Sequence, residues 1–188
     1  MQQPTTHDRA VSGSLTALTA AVAVALRLAR IPNIFAVGAL GLYAGARLPL
    51  WLAAMPSMVV MAATDWYLWL VRADRPFDPW VYVGFLGYVA LGRLLAGPRS
   101  AWRIGGVTVL GSLQFYLVTN FGVWSNALGL ATPLYPMTFS GLIACYIAGL
   151  PFLGYTLLGD LGCTAAVFAA EAWLTQPAAE PAAEEVRA

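Results

Sequence analysis

Long apolar runs fill almost the whole chain, and the charged residues collect in the short gaps between them. A helix that crosses a bilayer needs ~20 mostly apolar residues, each rising 1.5 Å. The pattern predicts helices over 14–30, 35–47, 48–71, 80–95 and 104–121. Pro32-Asn33 ends the first, because a residue ahead of proline resists the helical region. The second is short and crowded with Gly38, Gly41, Gly45, Ala39, Ala44 and Ala46, a composition that lets helices approach closely in lipid. Pro56 is a candidate kink in the third.

The gaps read as loops. Residues 72–79 carry two arginines, two aspartates and two prolines, 97–103 form a basic loop, and 122–136 form a long uncharged one. The last apolar stretch, 137–174, would reach ~57 Å as one helix, against a hydrocarbon core of ~30 Å. Gly149-Leu150-Pro151 supplies a break. The final helix is therefore expected over 151–174, with 137–150 a short re-entrant or surface segment before it. A seventh crossing by those residues is the alternative. The expected fold is all-α: a polytopic membrane bundle of about six transmembrane helices. It forms one domain, 13–174, between a polar N-terminal tail (1–12) and a disordered Ala/Pro/Glu-rich tail (175–188). The run from Leu15 ends in arginines rather than a small-residue cleavage site, so it is expected to be a retained helix.

Composition sharpens this picture by exclusion. Of 188 residues, 60% are hydrophobic and 10% charged, with a formal net charge of +1, which gives no electrostatic reason to expect nucleic acid. The ten basic residues are all arginine, which excludes lysine Schiff-base chemistry. The one histidine, His7, lies in the tail, so no buried histidine base or histidine metal cluster is expected. Cys145 and Cys163 sit in apolar runs and read as packing thiols. No catalytic residue, metal or cofactor is expected, and the protein is not expected to be an enzyme.

Orientation follows from arginine placement. With both termini cytoplasmic, Arg9, Arg47, Arg93, Arg99, Arg103 and Arg187 lie inside, and Arg27, Arg30, Arg72 and Arg75 lie outside. The expected location is the cytoplasmic (inner) membrane. Trp51, Trp102 and Trp173 mark one interface, and Trp66, Trp69, Trp80 and Trp124 mark the other. Arg93 is expected to snorkel to its interface.

Polar and aromatic groups then fall toward the outer side. Asn33, Asp65, Trp66, Gln114, Asn120, Trp124, Tyr135 and Tyr146 form the candidate substrate site, with Tyr67, Trp69, Tyr116 and Thr119 nearby. Rings stack on a heterocycle, and amides fix its orientation. The plainer reading of the same residues is an aromatic belt with helix-end caps. Asp65 and Asp160 stand out because a charged residue at a helix centre costs ~2.5–3.5 kcal/mol on insertion. Asp160 reads either as a ligand- or proton-coupling group or as a structural hydrogen-bonding partner. Ala17, Ala21 and Ala25 lie at spacing four on the first helix, a flat strip for another helix in the bundle or in a partner protein.

The segments Arg30-Ile31-Pro32-Asn33 and Ser112 to Trp124, with Tyr135-Pro136, Cys145-Tyr146, Pro151-Phe152 and Leu158-Gly159-Asp160, resemble a group of small bacterial and archaeal membrane proteins of unassigned function, over residues 27–172. That group is in turn distantly similar to the substrate-binding S components of energy-coupling-factor (ECF) vitamin transporters. The resemblance implies six helices and an outward-facing site including Asn33, Asn120 and Trp124. It also implies that Ala17, Ala21 and Ala25 contact a transmembrane coupling protein, itself served by two ATPases. The chain has no phosphate-loop motif, so ATP hydrolysis would come from other subunits. The expected function is a micronutrient-binding subunit of an uptake transporter. A self-sufficient ion-coupled carrier or channel is the alternative, ahead of an intramembrane enzyme using Asp65 with Asp160 and of a scaffold.

Overall fold

The computed structural model describes residues 5–29, 36–73, 77–97, 100–126 and 133–176. Among them are six α-helices and no strand: α1 (Thr6–Ala29), α2 (Val37–Arg47), α3 (Leu50–Arg72), α4 (Pro79–Gly92), α5 (Ala101–Ser125) and α6 (Phe139–Leu174). Four of them, α1, α3, α5 and α6, are long and apolar enough to cross a membrane. The all-α multi-pass reading therefore stands. The two remaining helices are shorter, 11 residues in α2 and 14 in α4, with α4 extended by a 3₁₀ turn over Arg93–Leu95.

Local chemistry explains the helix starts. Thr5 and Asp8 bond reciprocally, the Thr5 amide donating to Asp8 Oδ2 at 2.9 Å and the Asp8 amide to Thr5 Oγ1 at 3.1 Å. This capping box carries α1 back into residues expected to be a polar tail. Asp78 caps α4 by accepting from the Trp80 amide at 3.0 Å, with Pro79 at the first helical position. Ser100 accepts from the Arg103 amide, so α5 begins within the stretch expected to be a basic loop. Thr138 caps α6 through the Gly141 amide.

The expected break before the last helix is absent. Residues 139–174 form one helix of 36 residues with Pro151 inside it, neither re-entrant nor lying over a face. Its length, ~54 Å, exceeds the ~30 Å hydrocarbon core. Such a helix extends beyond the core or tilts strongly.

The short α2 is the centre of the bundle. Every residue from Val37 to Ala46 is buried, and α1, α3, α4 and α6 all pack around it. Gly38, Gly41 and Gly45 turn toward α4. A Cβ on Gly45 would overlap the Val89 carbonyl, and one on Gly92 would overlap the Leu42 carbonyl. The two backbones are thus in reciprocal contact, as the small-residue pattern predicts. Arg93 does more than reach an interface. Its Nη1 donates to the carbonyls of Gly45 and Leu48 at 2.9 Å each, capping the C-terminal end of α2.

Trp51, Trp102 and Trp173 all lie on the outer surface, at 76%, 91% and 71% exposure, as interface anchors require. Cys145 and Cys163 are free thiols within helix contacts.

Candidate functional site

Beyond Asp8 in the capping box of α1, three carboxylates lie within the helices, and each joins its own set of elements. Asp65 of α3 pairs with Arg27 of α1 and accepts from Tyr82 Oη of α4 at 2.7 Å. Arg27 Nε also donates to Thr64 Oγ1 at 2.7 Å. Glu171 of α6 pairs bidentately with Arg47 of α2, Nε to Oε1 and Nη2 to Oε2, the latter at 2.5 Å, and accepts from Tyr43 Oη at 3.1 Å. The Tyr43 and Phe168 rings meet edge-on at 5.3 Å, and the Arg47 guanidinium lies 5.9 Å from the Phe168 centroid.

Asp160 differs from both. It is 3% exposed, and it lies at the meeting point of α2, α4, α5 and α6. Its Oδ2 bonds Tyr88 Oη of α4 and Ser112 Oγ of α5, the latter at 2.7 Å, while its Oδ1 faces Gly38 of α2. Ser112 lies midway along α5, so the first turn of α2 faces the bundle interior rather than either surface. No side chain caps the N-terminus of α2, whose N-cap is Ala36. Among the described residues no arginine bonds Asp160. The aspartyl pair of Asp65 with Asp160 is not formed in this arrangement, since each carboxylate bonds its own set of helices.

The candidate substrate residues do not gather into one site. Asn120 and Tyr146 come together where α5 crosses α6. Tyr116 Oη donates to the Tyr146 carbonyl at 2.5 Å, Tyr146 Oη to the Leu117 carbonyl at 3.0 Å, and Cys145 Sγ to the Asn120 carbonyl at 3.4 Å. Asn120 Nδ2 donates to the Tyr116 carbonyl at 2.9 Å, and its amide fills the space left by Gly149. Trp124 Nε1 donates to the Pro136 carbonyl at 3.0 Å, which ties the loop before α6 to the end of α5. Tyr135 is half-buried in that loop. Gln114 turns the other way, to the Gly84 carbonyl of α4 at 2.7 Å. Trp66 lies on the outer face against Trp69, with ring centroids 5.0 Å apart. Asn33 lies outside the described residues.

Two apolar grooves open on the bundle surface. One of about 400 Å³ runs between α5 and α6, lined by Ile104, Thr108, Ala165 and Phe168 among others. One of about 270 Å³ runs between α1 and α6, lined by Leu15, Leu18, Cys163 and Val167 among others. None of the seven candidate substrate residues that are described lines either. Ala17, Ala21 and Ala25 are exposed on the outer face of α1.

Sequence reasoning missed Glu171, Tyr43, Tyr88 and Ser112. The signal for Glu171 was present: it is, with Asp160, one of the two charges in the last apolar run. Tyr88 and Ser112 carry no such signal, since their role is set by a carboxylate 72 and 48 residues away.

No curated protein and no solved structure matches the chain. Residues 8–183, which run from the first turn of α1 to beyond the end of α6, match a family of unknown function, DUF6580, and the chain belongs to that family.

Proposed function

We propose that the protein is a membrane-embedded transport subunit that binds a small solute, vitamin-like or another micronutrient, with ATP hydrolysis supplied by separate subunits. The observation that carries the transport reading is the half-length α2. It is wholly buried, and its N-terminal turn meets the carboxylate of Asp160 inside the bundle. Short helices that start within the membrane beside a buried polar group are a recurrent way to build solute sites.

The outward face of α1 supports an external energy source. Ala17, Ala21 and Ala25 give a flat strip that is exposed among the described residues and leaves room for a partner helix. This agrees with the coupling-protein contact that the ECF resemblance implies. The reading places the protein in the cytoplasmic membrane with both termini inside.

The test is native mass spectrometry of the protein gently purified from its own membranes. A bound small molecule, or a complex with two ATPases and a membrane coupling protein, supports the reading. An empty, partner-free protein, together with no loss of associated proteins on Ala21→Leu, defeats it.

A self-sufficient ion-coupled carrier is the second reading, favoured by Asp160 having no arginine partner among the described residues. Reconstituted alone, such a carrier moves solute. Transport that requires added subunits excludes it.

A further inference from the structure

Of the three carboxylates that join one helix to another, two are neutralised by arginine: Asp65 by Arg27 and Glu171 by Arg47. Asp160, the most enclosed of them, has only hydroxyls. The groups facing it are Tyr88 from α4, Ser112 from α5, the Gly38 backbone from α2 and, on α6 itself, Cys163, which lies close enough to interact with it electrostatically. None of these is cationic. The N-terminal end of α2 brings a partial positive charge, but none of its amides donates to the carboxylate in the described structure.

The hydrogen bonds give a second, independent argument. Both hydroxyls meet the same oxygen, Oδ2, and Oδ1 accepts none. An ionised carboxylate divides its charge equally between the two oxygens, which would leave half of it on an oxygen that accepts no hydrogen bond from the described residues. Ser112 Oγ, moreover, lies within bonding distance of two acceptors, Asp160 Oδ2 at 2.7 Å and the Thr108 carbonyl at 3.2 Å, and has one hydrogen to give. A proton on Oδ2 resolves this. The Asp160 O–H donates to Ser112 Oγ, the Ser112 O–H donates to the Thr108 carbonyl, and Tyr88 O–H donates to Oδ2. Three hydroxyl hydrogens then have three acceptors, and Oδ1 is an uncharged carbonyl oxygen against Gly38.

We propose that Asp160 is a proton-binding site, occupied when α2 is seated between α4, α5 and α6. The site stands independently of which solute is carried or what powers transport. Loss of the proton would put an uncompensated charge at the junction of four helices and favour withdrawal of α2, so proton binding and α2 position are coupled.

The test is infrared spectroscopy of the full chain in lipid vesicles, with and without ¹³C labelling of aspartate carboxyls. At neutral pH a protonated carboxylic-acid carbonyl band is expected. It should shift on labelling, vanish in Asp160→Asn and persist in Asp65→Asn. Absence of the band in the labelled wild type, or its survival in Asp160→Asn, overturns the proposal. Should Asp160→Asn fail to fold, Ser112→Ala and Tyr88→Phe act on the same band. Each removes one of its hydrogen bonds and should move its frequency, and a band unmoved by both belongs to another residue and overturns the assignment. An absent band with thermal stability that rises in sodium chloride but not in choline chloride would give the site to an alkali cation, again overturning it.

Discussion

Arg47 and Glu171 are separated by 124 residues of chain yet meet in a bidentate pair, Nε and Nη2 against the two carboxylate oxygens, which ties the end of α2 to the end of α6. Both side chains are largely enclosed, at 17% and 7% exposure. Removing one partner leaves a charge in a poorly solvated place, which costs about 3–5 kcal/mol. Glu171→Gln is therefore expected to lower stability strongly in denaturant titrations in detergent. The double change Arg47→Met with Glu171→Leu, which removes both charges of the pair, should cost less. Equal losses would mean the pair is more solvated than its packing implies.

Close approach of α2 to α4 makes a contrasting pair of glycine substitutions informative. Gly45→Ala pushes a methyl into the Val89 carbonyl, where backbone must move, and overpacking of this kind costs about 1–3 kcal/mol. Gly105→Ala in α5 meets nothing within 4 Å and should stabilise the helix by about 0.5–1 kcal/mol. Thermal unfolding of the two variants should move in opposite directions. A shift of the same sign in both would contradict the packing of α2 on α4.

Trp66 and Asn120 separate surface from interior among the candidate substrate residues. Trp66 is 53% exposed on the outer face, so Trp66→Ala should leave stability within about 0.5 kcal/mol. Asn120 fills the gap at Gly149 and donates to the Tyr116 carbonyl. Asn120→Ala should cost about 1–3 kcal/mol through the lost bond and the space left behind. If Trp66→Ala unfolds the protein while Asn120→Ala does not, the two residues have been assigned the wrong roles.

Continuity of α6 has a topological outcome. In a background with Cys145→Ala and Cys163→Ala, cysteines placed at Ser140 and Thr175 should react with an impermeant thiol reagent from opposite sides of the membrane. Labelling of both from one side would mean that 137–150 and 151–174 cross separately, which is the seventh-crossing alternative.

The helices themselves were legible because each is a long apolar run bounded by polar or capping residues, and the glycine face of α2 was legible because few other roles suit so many small residues. The start of α6 was misread because Gly149-Leu150-Pro151 looks like a helix boundary. Proline removes one hydrogen bond and crowds the carbonyl four residues back, here Ile147. A 36-residue apolar helix keeps its many other bonds, and water does not compete for them in the membrane. The candidate site was only partly legible for a different reason. Gln114, Asn120, Trp124 and Tyr146 all bond backbone carbonyls on other turns or helices. Carbonyls are present at every position, so nothing in the sequence marks the ones used. Asp160 was recognisable as exceptional, but its difference from Asp65 and Glu171 emerges only once the arginines are placed.

The burial of α2 has a consequence for biogenesis. With 11 residues, each but the terminal Arg47 enclosed by neighbouring helices, it is too short to cross the hydrocarbon core. Nor does it have an outer face with which to rest in lipid on its own. During synthesis α3, α4 and α5 emerge after it, and the carboxylate that receives Arg47 comes last of all, on the final helix. Until then the insertion machinery or a chaperone must shelter a segment that already carries its charge. A ribosome stalled before Glu171 should expose that dependence as a nascent chain unusually prone to degradation.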